Sequence, residues 1–399
     1  MPKITPFPAV RPTRDKAPLV TSRSYDDYPA AELAAQLDFN PFSFLHVLHP
    51  GYVNVQKNDP TKRFGQVRAK YEDFKEEGIL KKESEAVFYL YDLQTKSRSY
   101  TGIIASVAVE DYLNGCLKKH EDTLEYRVEQ FEEYLHITGF NTEPVLVAYP
   151  DNPELQQWIS QARHKRPLYQ FSSPNRDKHT LWRIRDKHQL DWLIAQFDKI
   201  PALYIADGHH RSASAALLYE RDKQTGNPNL GNFMAFLVSE NEVRINEYNR
   251  VIRDLNKLSK TEFLHRVSKV FQVEKRGNEL WKPIRKGQFG MYLDGDFYAL
   301  EPLTVTSDID AQLLYDEILN PILGIGDLRN DGRIDYIPGN QPLTRIVELV
   351  DSEEFEVGFT LFPIAFSQIR EVADKGEILP PKSTYIEPKI RSGLVIYEL

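Results

Sequence analysis

The chain has 399 residues, 41% of them hydrophobic and 12% aromatic, so it is long enough for two or three domains with cores of their own. Its 50 basic and 58 acidic residues give a net charge of −8, which argues against nucleic acid as a partner. The single cysteine, Cys116, excludes an internal disulfide framework and a cysteine-rich zinc site, as expected in a reducing compartment.

The sequence also gives an expectation about location. Its first residues lack an apolar core of signal-peptide length, and no later stretch approaches the length of a membrane span. We therefore expect a cytoplasmic protein with no membrane partner.

Residues 1–110 are predicted to form an N-terminal α+β region. Six prolines within the first 30 residues favour an extended start, because proline fixes φ and removes a hydrogen-bond donor. Apolar side chains recur at helical spacing over residues 63–78. The apolar runs 86–93 and 100–109, joined by a polar stretch, are typical of a β-hairpin.

Residues 111–260 are predicted to form a core region in which helices and strands alternate. The predicted elements are helix 124–137, strand 144–149, helix 152–163, helix 189–198, strand 202–206 and strand 232–239. We expect strand 202–206 to be flanked on both sides, with strand 232–239 as a neighbour.

Residues 261–399 are predicted to form a C-terminal α+β region, although composition marks the borders poorly and the regions can interleave. The predicted elements are helix 259–271, a hairpin at 291–300 around Asp294-Gly295, helix 308–319, strand 358–363 and helix 364–375. Together the elements predict a mixed α/β (α+β) fold.

Chemistry concentrates in residues 203–216, where a buried strand stops at Asp207-Gly208 and a helix-favouring sequence starts at Arg211. A helix N-terminus attracts anions, because its first N–H groups lack internal partners and the helix dipole is positive there. Gly208 allows close approach of the backbone to a ligand, Arg211 can grip an oxyanion, and Ser212 adds a hydroxyl donor. The sequence therefore predicts that Gly208, Arg211 and Ser212 bind phosphate.

Three titratable residues of the same stretch are the predicted catalytic residues. Asp207, His209 and His210 would stand beside the bound anion, where an acid or base can act on it. The alternative for Asp207 is a helix cap, since Asp is a favoured cap residue. The adjacent histidines point in different directions, which argues against a structural zinc site, and the sequence leaves any metal ligand unknown.

Three further segments are candidates for binding a substrate or nucleotide. The residues are Lys119, His120, Glu121, Thr123 and Arg127, then Asn249 and Arg250, and finally Lys382, Ser383 and Thr384. The first group is equally consistent with a solvated helix entry. The last group, with Lys389, lies in a loop that Pro380 and Pro381 stiffen, and a basic surface loop is its alternative interpretation.

Several separated motifs resemble one bacterial family, catalogued as domain of unknown function 1015. They are Ile-Ala-Asp-Gly-His-His-Arg at 205–211, Lys-Lys-His-Glu-Asp-Thr at 118–123, Asn-Arg-Val at 249–251, Pro-Lys-Ser-Thr-Tyr at 381–385 and Asn-Pro-Phe-Ser-Phe-Leu at 40–45. The resemblance covers nearly the whole chain.

The Asp-Gly-His-His-Arg turn also resembles the partition-protein/sulfiredoxin-like superfamily, which includes kinases that phosphorylate free serine. In those kinases the corresponding turn and helix start bind nucleotide phosphates, and the resemblance implies this role for residues 208–212. It also implies a partition-protein/sulfiredoxin-like nucleotide-binding core embedded in a larger multi-sheet chain.

These observations predict a phosphoryl-transfer enzyme that acts on a small metabolite, with serine or phosphoserine as the leading substrate. A kinase-like reaction would require Mg²⁺ and a nucleotide, ADP or ATP. One alternative is a phosphatase that uses water as acceptor. Another is a non-catalytic nucleotide-binding regulatory or partition-like protein. A sulfiredoxin-type redox role is disfavoured, because Cys116 lies outside the signature.

Overall fold

The computed structural model describes residues 1–49 and 59–399, in two compact units. The first unit comprises Met1–Lys119, Thr123–Val243 and Pro388–Leu399, and the second comprises His120–Asp122 and Arg244–Glu387. The first unit is discontinuous in sequence, because the last residues of the chain return to it.

The first unit is built on a large mixed sheet. Its strands, including those of two small ladders, are β1 (Ile4–Thr5), β2 (Val10–Pro12), β3 (Leu80–Lys82), β4 (Phe88–Gln94), β5 (Ser99–Ala108), β6 (Leu117–Lys118), β7 (Phe140–Asn141), β8 (Val145–Tyr149), β9 (Tyr169–Ser172), β10 (Lys178–Ile184), β11 (Leu203–Asp207) and β12 (Asn232–Ser239). The order in the sheet is β6-β11-β8-β12-β5-β4-β10-β9, with β1 added on β5. The predicted hairpin of β4 and β5 is confirmed.

Strand β11 lies between β6, which runs parallel to it, and β8, which runs antiparallel. The expectation that β11 is flanked on both sides is therefore confirmed. The expectation that β12 neighbours it is wrong, because β12 pairs with β8 and β5. All five residues of β8 are buried, which suits an interior position between two strands.

Helices cover this sheet and form a second, smaller core. They are α1 (Ala17–Val20), α2 (Ala30–Phe39), α3 (Leu45–Leu48), α4 (Pro60–Glu76), α5 (Val109–Leu113), α6 (Glu125–Thr138), α7 (Pro153–Ala162), α8 (Lys187–Phe197) and α9 (His209–Asp222). Helix α9 packs against α6 and α5. Leu203 and Ile205 of β11 are fully buried in the main core, and this burial fixes the strand that precedes α9.

The second unit contains a separate sheet with its own core. Its strands and helices are β13 (Arg244–Asn246), β14 (Tyr248–Ile252), α10 (Lys260–Val267), β15 (Phe271–Gly277), β16 (Phe289–Leu293), β17 (Asp296–Pro302), α11 (Asp310–Leu314), β18 (Ile334–Pro338), α12 (Thr344–Asp351), β19 (Val357–Thr360), α13 (Phe366–Asp374) and β20 (Tyr385–Glu387). The sheet order is β15-β17-β16-β19-β14-β18, and β13 pairs with β20. A last strand, β21 (Tyr397–Glu398), pairs with β7 in the first unit.

This architecture confirms the predicted mixed α/β fold in a multi-sheet chain. The predicted hairpin at 291–300 is present as β16 and β17. Within residues 1–49 and 59–399, no helix combines the length and the apolar character needed to cross a bilayer.

Close packing between β5 and β12 makes Gly102 necessary in the first unit. A Cβ at this position would lie 2.5 Å from the main-chain oxygen of Leu237 and 2.6 Å from Cγ1 of Val238. We expect Gly102→Ala to lower the free energy of unfolding by about 1–3 kcal/mol, as overpacked cores do. Urea denaturation followed by tryptophan fluorescence measures this.

Gly65→Ala is the matched control, because Gly65 lies within α4 and a Cβ there has no neighbour within 4 Å. We expect the free energy of unfolding of this variant to be higher by about 0.5–1 kcal/mol, because alanine is the better helix former. Equal stabilities of the two variants would contradict the assigned packing of the sheet.

Candidate functional site

The corner between β11 and α9 is formed by Gly208, whose φ is +103°. Residues with a side chain rarely adopt this conformation, so the turn favours glycine. Helix α9 starts at His209, earlier than the predicted start at Arg211. No side chain caps the helix, so Asp207 does not act as the helix cap that we considered as its alternative role.

Arg211 ties the first turn of α9 to both neighbouring strands. Its Nη1 donates to the main-chain oxygens of Glu143 (3.2 Å) and Pro144 (2.7 Å), just before β8. These oxygens are in reach because β8 runs antiparallel to β11 and begins where β11 ends. A Cβ on Gly208 would lie 2.9 Å from Nε of Arg211, so the guanidinium fills the space that glycine leaves.

The carboxylate of Asp207 is held between two cations. One oxygen accepts from Nη2 of Arg211 at 2.7 Å, and the other accepts from Nζ of Lys389 at 2.6 Å. Burial alone would raise the pKa of Asp207, but Lys389, Arg211 and His209 together lower it to about 2. Asp207 is therefore ionised at neutral pH and cannot act there as an acid.

The two histidines occupy different environments. His209 is buried, at 4% exposure, and it contributes to the low pKa of Asp207. His210 is partly buried, and its Nε2 accepts the N–H of Leu124 at 3.1 Å, immediately before α6. A nitrogen that accepts this bond carries no proton. His210 therefore joins α9 to the start of α6, and its Nε2 can accept another proton only by giving up this bond.

Ser212 is fully buried, and its hydroxyl donates to the main-chain oxygen of Gly208 at 3.2 Å. Its hydroxyl is thus used within α9, as is common for serine in a helix. Its predicted role as a hydrogen-bond donor to phosphate stays a prediction.

Arg211 also lines a cavity of about 370 Å³ in the first unit. The apolar wall consists of Phe64, Val67, Phe131, Tyr134 and Leu135, from α4 and α6. Asn141, Thr142, Glu143 and Ser214 are among the polar residues that line it. This volume lies in the range of small-molecule sites, roughly 300–1,000 Å³.

Three other predicted binding residues lie in the first unit. Lys119 follows β6, which pairs with Leu203 and Tyr204 of β11, and its Nζ lies 5.9 Å from the ring centre of Tyr112. Thr123 is half-buried before α6, and Arg127 is exposed on that helix. Their binding role stays a prediction.

The remaining predicted binding residues lie in the second unit. His120 is buried at 1% exposure, and its main-chain oxygen accepts from Leu379, while Glu121 is half-buried. Asn249 is buried and accepts from the N–H of Leu361 at 3.4 Å.

The structure brings Arg250 together with the loop at 382–384. Nη2 of Arg250 donates to the main-chain oxygen of Lys382 at 3.1 Å, and Arg250 and Ser383 line one cavity. Thr384 follows in the chain and is half-buried.

Sequence reasoning missed two partners of the corner, Lys389 and Glu143. The sequence places Lys389 in the loop at 380–389 and gives no indication of a contact with Asp207. The two residues are 182 positions apart, and no local pattern indicates such a pairing. Across the part of the chain that the structure describes, no three His, Cys, Asp or Glu side chains cluster in a way that could hold a metal ion.

Gly208→Ala tests the packing of Arg211 on the turn. We expect a loss of more than about 1 kcal/mol in the free energy of unfolding, because the new methyl group meets the guanidinium and the φ is strained. Gly226→Ala is the control, since Gly226 also has positive φ, +74°, but nothing lies within 4 Å of a Cβ there. Equal losses in urea denaturation would mean that Arg211 does not occupy this position.

The low pKa of Asp207 predicts a dependence of stability on pH. A fall from 3.8 to about 2 corresponds to about 2 kcal/mol of stability. This contribution is fully present above pH 4 and is lost as the pH falls through 2. We therefore expect the stability difference between the wild type and Asp207→Asn to shrink as the pH falls below about 4.

Urea denaturation at several pH values between 3 and 7 measures this difference, and Lys389→Met serves as the companion variant. Without Lys389 the pKa of Asp207 lies closer to its ordinary value, so the pH-dependent loss of stability is smaller and is complete at a higher pH. A difference that does not change with pH would contradict the assigned ion pairs.

No curated protein matches the chain. Among solved structures, the chain is similar to a free serine kinase in complex with AMP, with 15% identity and a TM-score of 0.36 over 73% of this chain and 92% of that one. The chain is also similar to a mutant free serine kinase in complex with ADP, with 14% identity and a TM-score of 0.37 over 76% of this chain and 95% of that one.

A third similar structure is SbnI with a C-terminal truncation, from Staphylococcus aureus, with 14% identity and a TM-score of 0.37 over 73% of this chain and 85% of that one. At TM-scores this low, these likenesses do not bear on the function of this chain. The family comparison is decisive, because residues 4–319 match the family described as protein of unknown function DUF1015. Since this match spans most of the chain, the chain belongs to the DUF1015 family, as its motifs indicate.

Proposed function

We propose that the chain is a cytoplasmic phosphoryl-transfer enzyme that uses a nucleotide and acts on a small metabolite, with serine or phosphoserine as the substrate. The observation that carries this proposal is the cluster of Lys389, Asp207 and Arg211 at the N-terminus of α9. The cluster places two cations where a helix dipole already favours an anion.

The charges around the cluster support anion binding. Glu143 approaches Nη1 of Arg211 only to 4.0 Å, and its other carboxylate oxygen accepts from Ser392 at 2.7 Å. Two cations thus face two carboxylates, and the partial positive charge of the α9 N-terminus leaves the balance positive. Arg211 uses three N–H groups in the bonds described, which leaves Nε and one Nη2 hydrogen for a ligand.

The cavity beside Arg211 has room for the organic part of such a ligand. Its apolar wall suits a nucleoside or similar group, and Arg211 is one of its lining residues. A phosphoryl group at the start of α9 would then reach Arg211, which would neutralise charge that develops in the transition state. Lys119, Thr123 and Arg127 are the further candidates for contact with a charged substrate.

We propose that one of the three predicted catalytic residues, Asp207, His209 and His210, transfers the proton. Asp207 is held ionised by two cations, so it cannot donate a proton at neutral pH, and Nε2 of His210 accepts from the N–H of Leu124. Asp207 also positions Arg211 and Lys389.

The residues at the corner do not suit direct metal ligation. Both oxygens of Asp207 accept from cations, and Mg²⁺ prefers oxygen ligands that are not engaged in this way. A nucleotide would carry Mg²⁺ on its own phosphates.

Phosphorus NMR of the purified protein with ADP, ATP or phosphoserine, each with and without serine and Mg²⁺, tests the proposal. We expect phosphoryl transfer that depends on a nucleotide. Turnover of phosphoserine without nucleotide would instead identify a phosphatase. Nucleotide binding by calorimetry without any product would identify a non-catalytic binding protein.

Arg211→Ala should lower kcat by about 10²–10³-fold, the loss typical of removing one donor that stabilises developing charge. Lys389→Met should lower it as well. Lys199→Met is the matched control, because Lys199 is an exposed lysine of the same unit that pairs with Glu154. Circular dichroism verifies the fold of each variant. Unchanged kcat in Arg211→Ala would remove the assignment of the site.

A further inference from the structure

Arg250 of the second unit is a cation almost completely removed from water. It lies on β14, between β18 and β19, and is 1% exposed. Its Nη1 donates to the main-chain oxygen of Tyr248 and its Nη2 to that of Lys382. Its Nε is buried and has no hydrogen-bond partner. The guanidinium also lies 5.6 Å from the ring centre of Tyr336.

Arg250 has no direct ion-pair partner among the residues that the structure describes. Both hydrogen-bonded partners are neutral carbonyls, and no carboxylate in the described ranges forms an ion pair with it. Burial lowers the pKa of Arg250 to about 10. Buried charges in proteins are normally paired, because an isolated charge loses its hydration. The bonds that Arg250 makes therefore do not offset its charge.

A cavity gives such an anion access to Arg250. Its volume is about 20 Å³, which is room for roughly one oxygen-sized group. Every described residue that lines it belongs to the second unit. Besides Arg250, the polar lining residues include Lys286, Ser383 and Gln368, and two carboxylates, Glu247 and Asp310, also face it.

Three other polar residues of the lining already have partners. Lys286 forms an ion pair with Asp308 at 3.0 Å, and Ser383 donates to the main-chain oxygen of Pro380 at 2.7 Å. Both oxygens of Asp310 accept from the N–H of Gly287 at 3.1 Å. The unsatisfied donor of the cavity is thus Nε of Arg250.

The loop that carries Lys382 holds a strained backbone at this point. Lys382 has a φ of +56°, which is unusual for a residue with a side chain, and its carbonyl accepts from Arg250. Such strain persists where surrounding contacts fix the chain, and it is concentrated at ligand sites. The hydrogen bond between Arg250 and the Lys382 carbonyl therefore fixes the position of both groups.

We propose that Arg250 binds the oxyanion end of a small metabolite, a carboxylate or phosphate oxygen, which enters this cavity and accepts from Nε. The carboxylates of Glu247 and Asp310 on the cavity wall would suit a ligand that also carries donor groups. This site does not depend on the phosphoryl transfer proposed for the Asp207 corner.

Arg250→Met separates a ligand site from a structural role. Replacing a buried charge by an apolar side chain of similar volume is often neutral or stabilising when the charge lacks a partner. We therefore expect Arg250→Met to melt at the wild-type temperature or above it in buffer without oxyanions. A structural arginine would instead give a lower melting temperature.

Thermal unfolding of the full chain provides the binding readout. Sodium phosphate, sodium acetate and sodium chloride are titrated at constant ionic strength, so that screening is the same in each series. We expect the melting temperature of the wild type to rise by several degrees with phosphate or acetate and to saturate, as mass action requires. The salt that raises the melting temperature at the lower concentration shows whether the site prefers a phosphate or a carboxylate.

Each titration is repeated in an Arg211→Ala background, which removes the guanidinium of the Asp207 corner. The proposal requires that the saturable rise survives in this background and disappears in Arg250→Met. Arg253→Met is the control, because Arg253 lies near the same strand but is 41% exposed and pairs with Asp335 and Glu354; it should keep the rise.

Arg250→Lys provides a second variant that keeps the charge if Arg250→Met does not fold. Lysine lacks Nε and its fork geometry, so we expect the apparent affinity for the oxyanion to fall by about tenfold or more. A rise in melting temperature that persists unchanged in Arg250→Lys and Arg250→Met would overturn the proposal. A wild type whose melting temperature shows no saturable rise with phosphate or acetate would overturn it as well.

Discussion

The carboxylate of Asp207, held between Lys389 and Arg211, is the interaction on which the candidate site depends. It joins the end of β11, the first turn of α9 and the returning C-terminal segment of the first unit. Through the carbonyls of Glu143 and Pro144, Arg211 extends this connection to β8. The position of each charged group at the corner is therefore set by the others.

The same arrangement explains the local sequence. Burial disfavours an ionised Asp207, and the two cations reverse that effect and lower its pKa to about 2. Gly208 is needed because the chain turns with positive φ and because Arg211 folds back against the turn. His210 anchors the neighbouring α6. One short motif thus supplies the turn, the charge cluster and the attachment of a second helix.

Local patterns predicted the local structure well. The strand, turn and helix at 203–222, the hairpin of β4 and β5 and the Asp294-Gly295 turn all follow from spacing and turn residues. Pairings distant in sequence could not be predicted. The insertion of β8 between β11 and β12, the Asp207–Lys389 contact and the Arg250–Lys382 contact join segments far apart in the chain. The hydrogen bond from the Ser212 hydroxyl to the main-chain oxygen of Gly208 also could not be predicted, because it depends on the side-chain conformation.

A crystal structure of the protein with ADP would test the central claim most directly. The account predicts that a phosphate oxygen lies at the N-terminus of α9, within about 3.2 Å of a nitrogen of Arg211 or Lys389. It also predicts that the nucleoside occupies the cavity beside Arg211. A nucleotide bound elsewhere, with Asp207, Arg211 and Lys389 in contact only with one another, would contradict it.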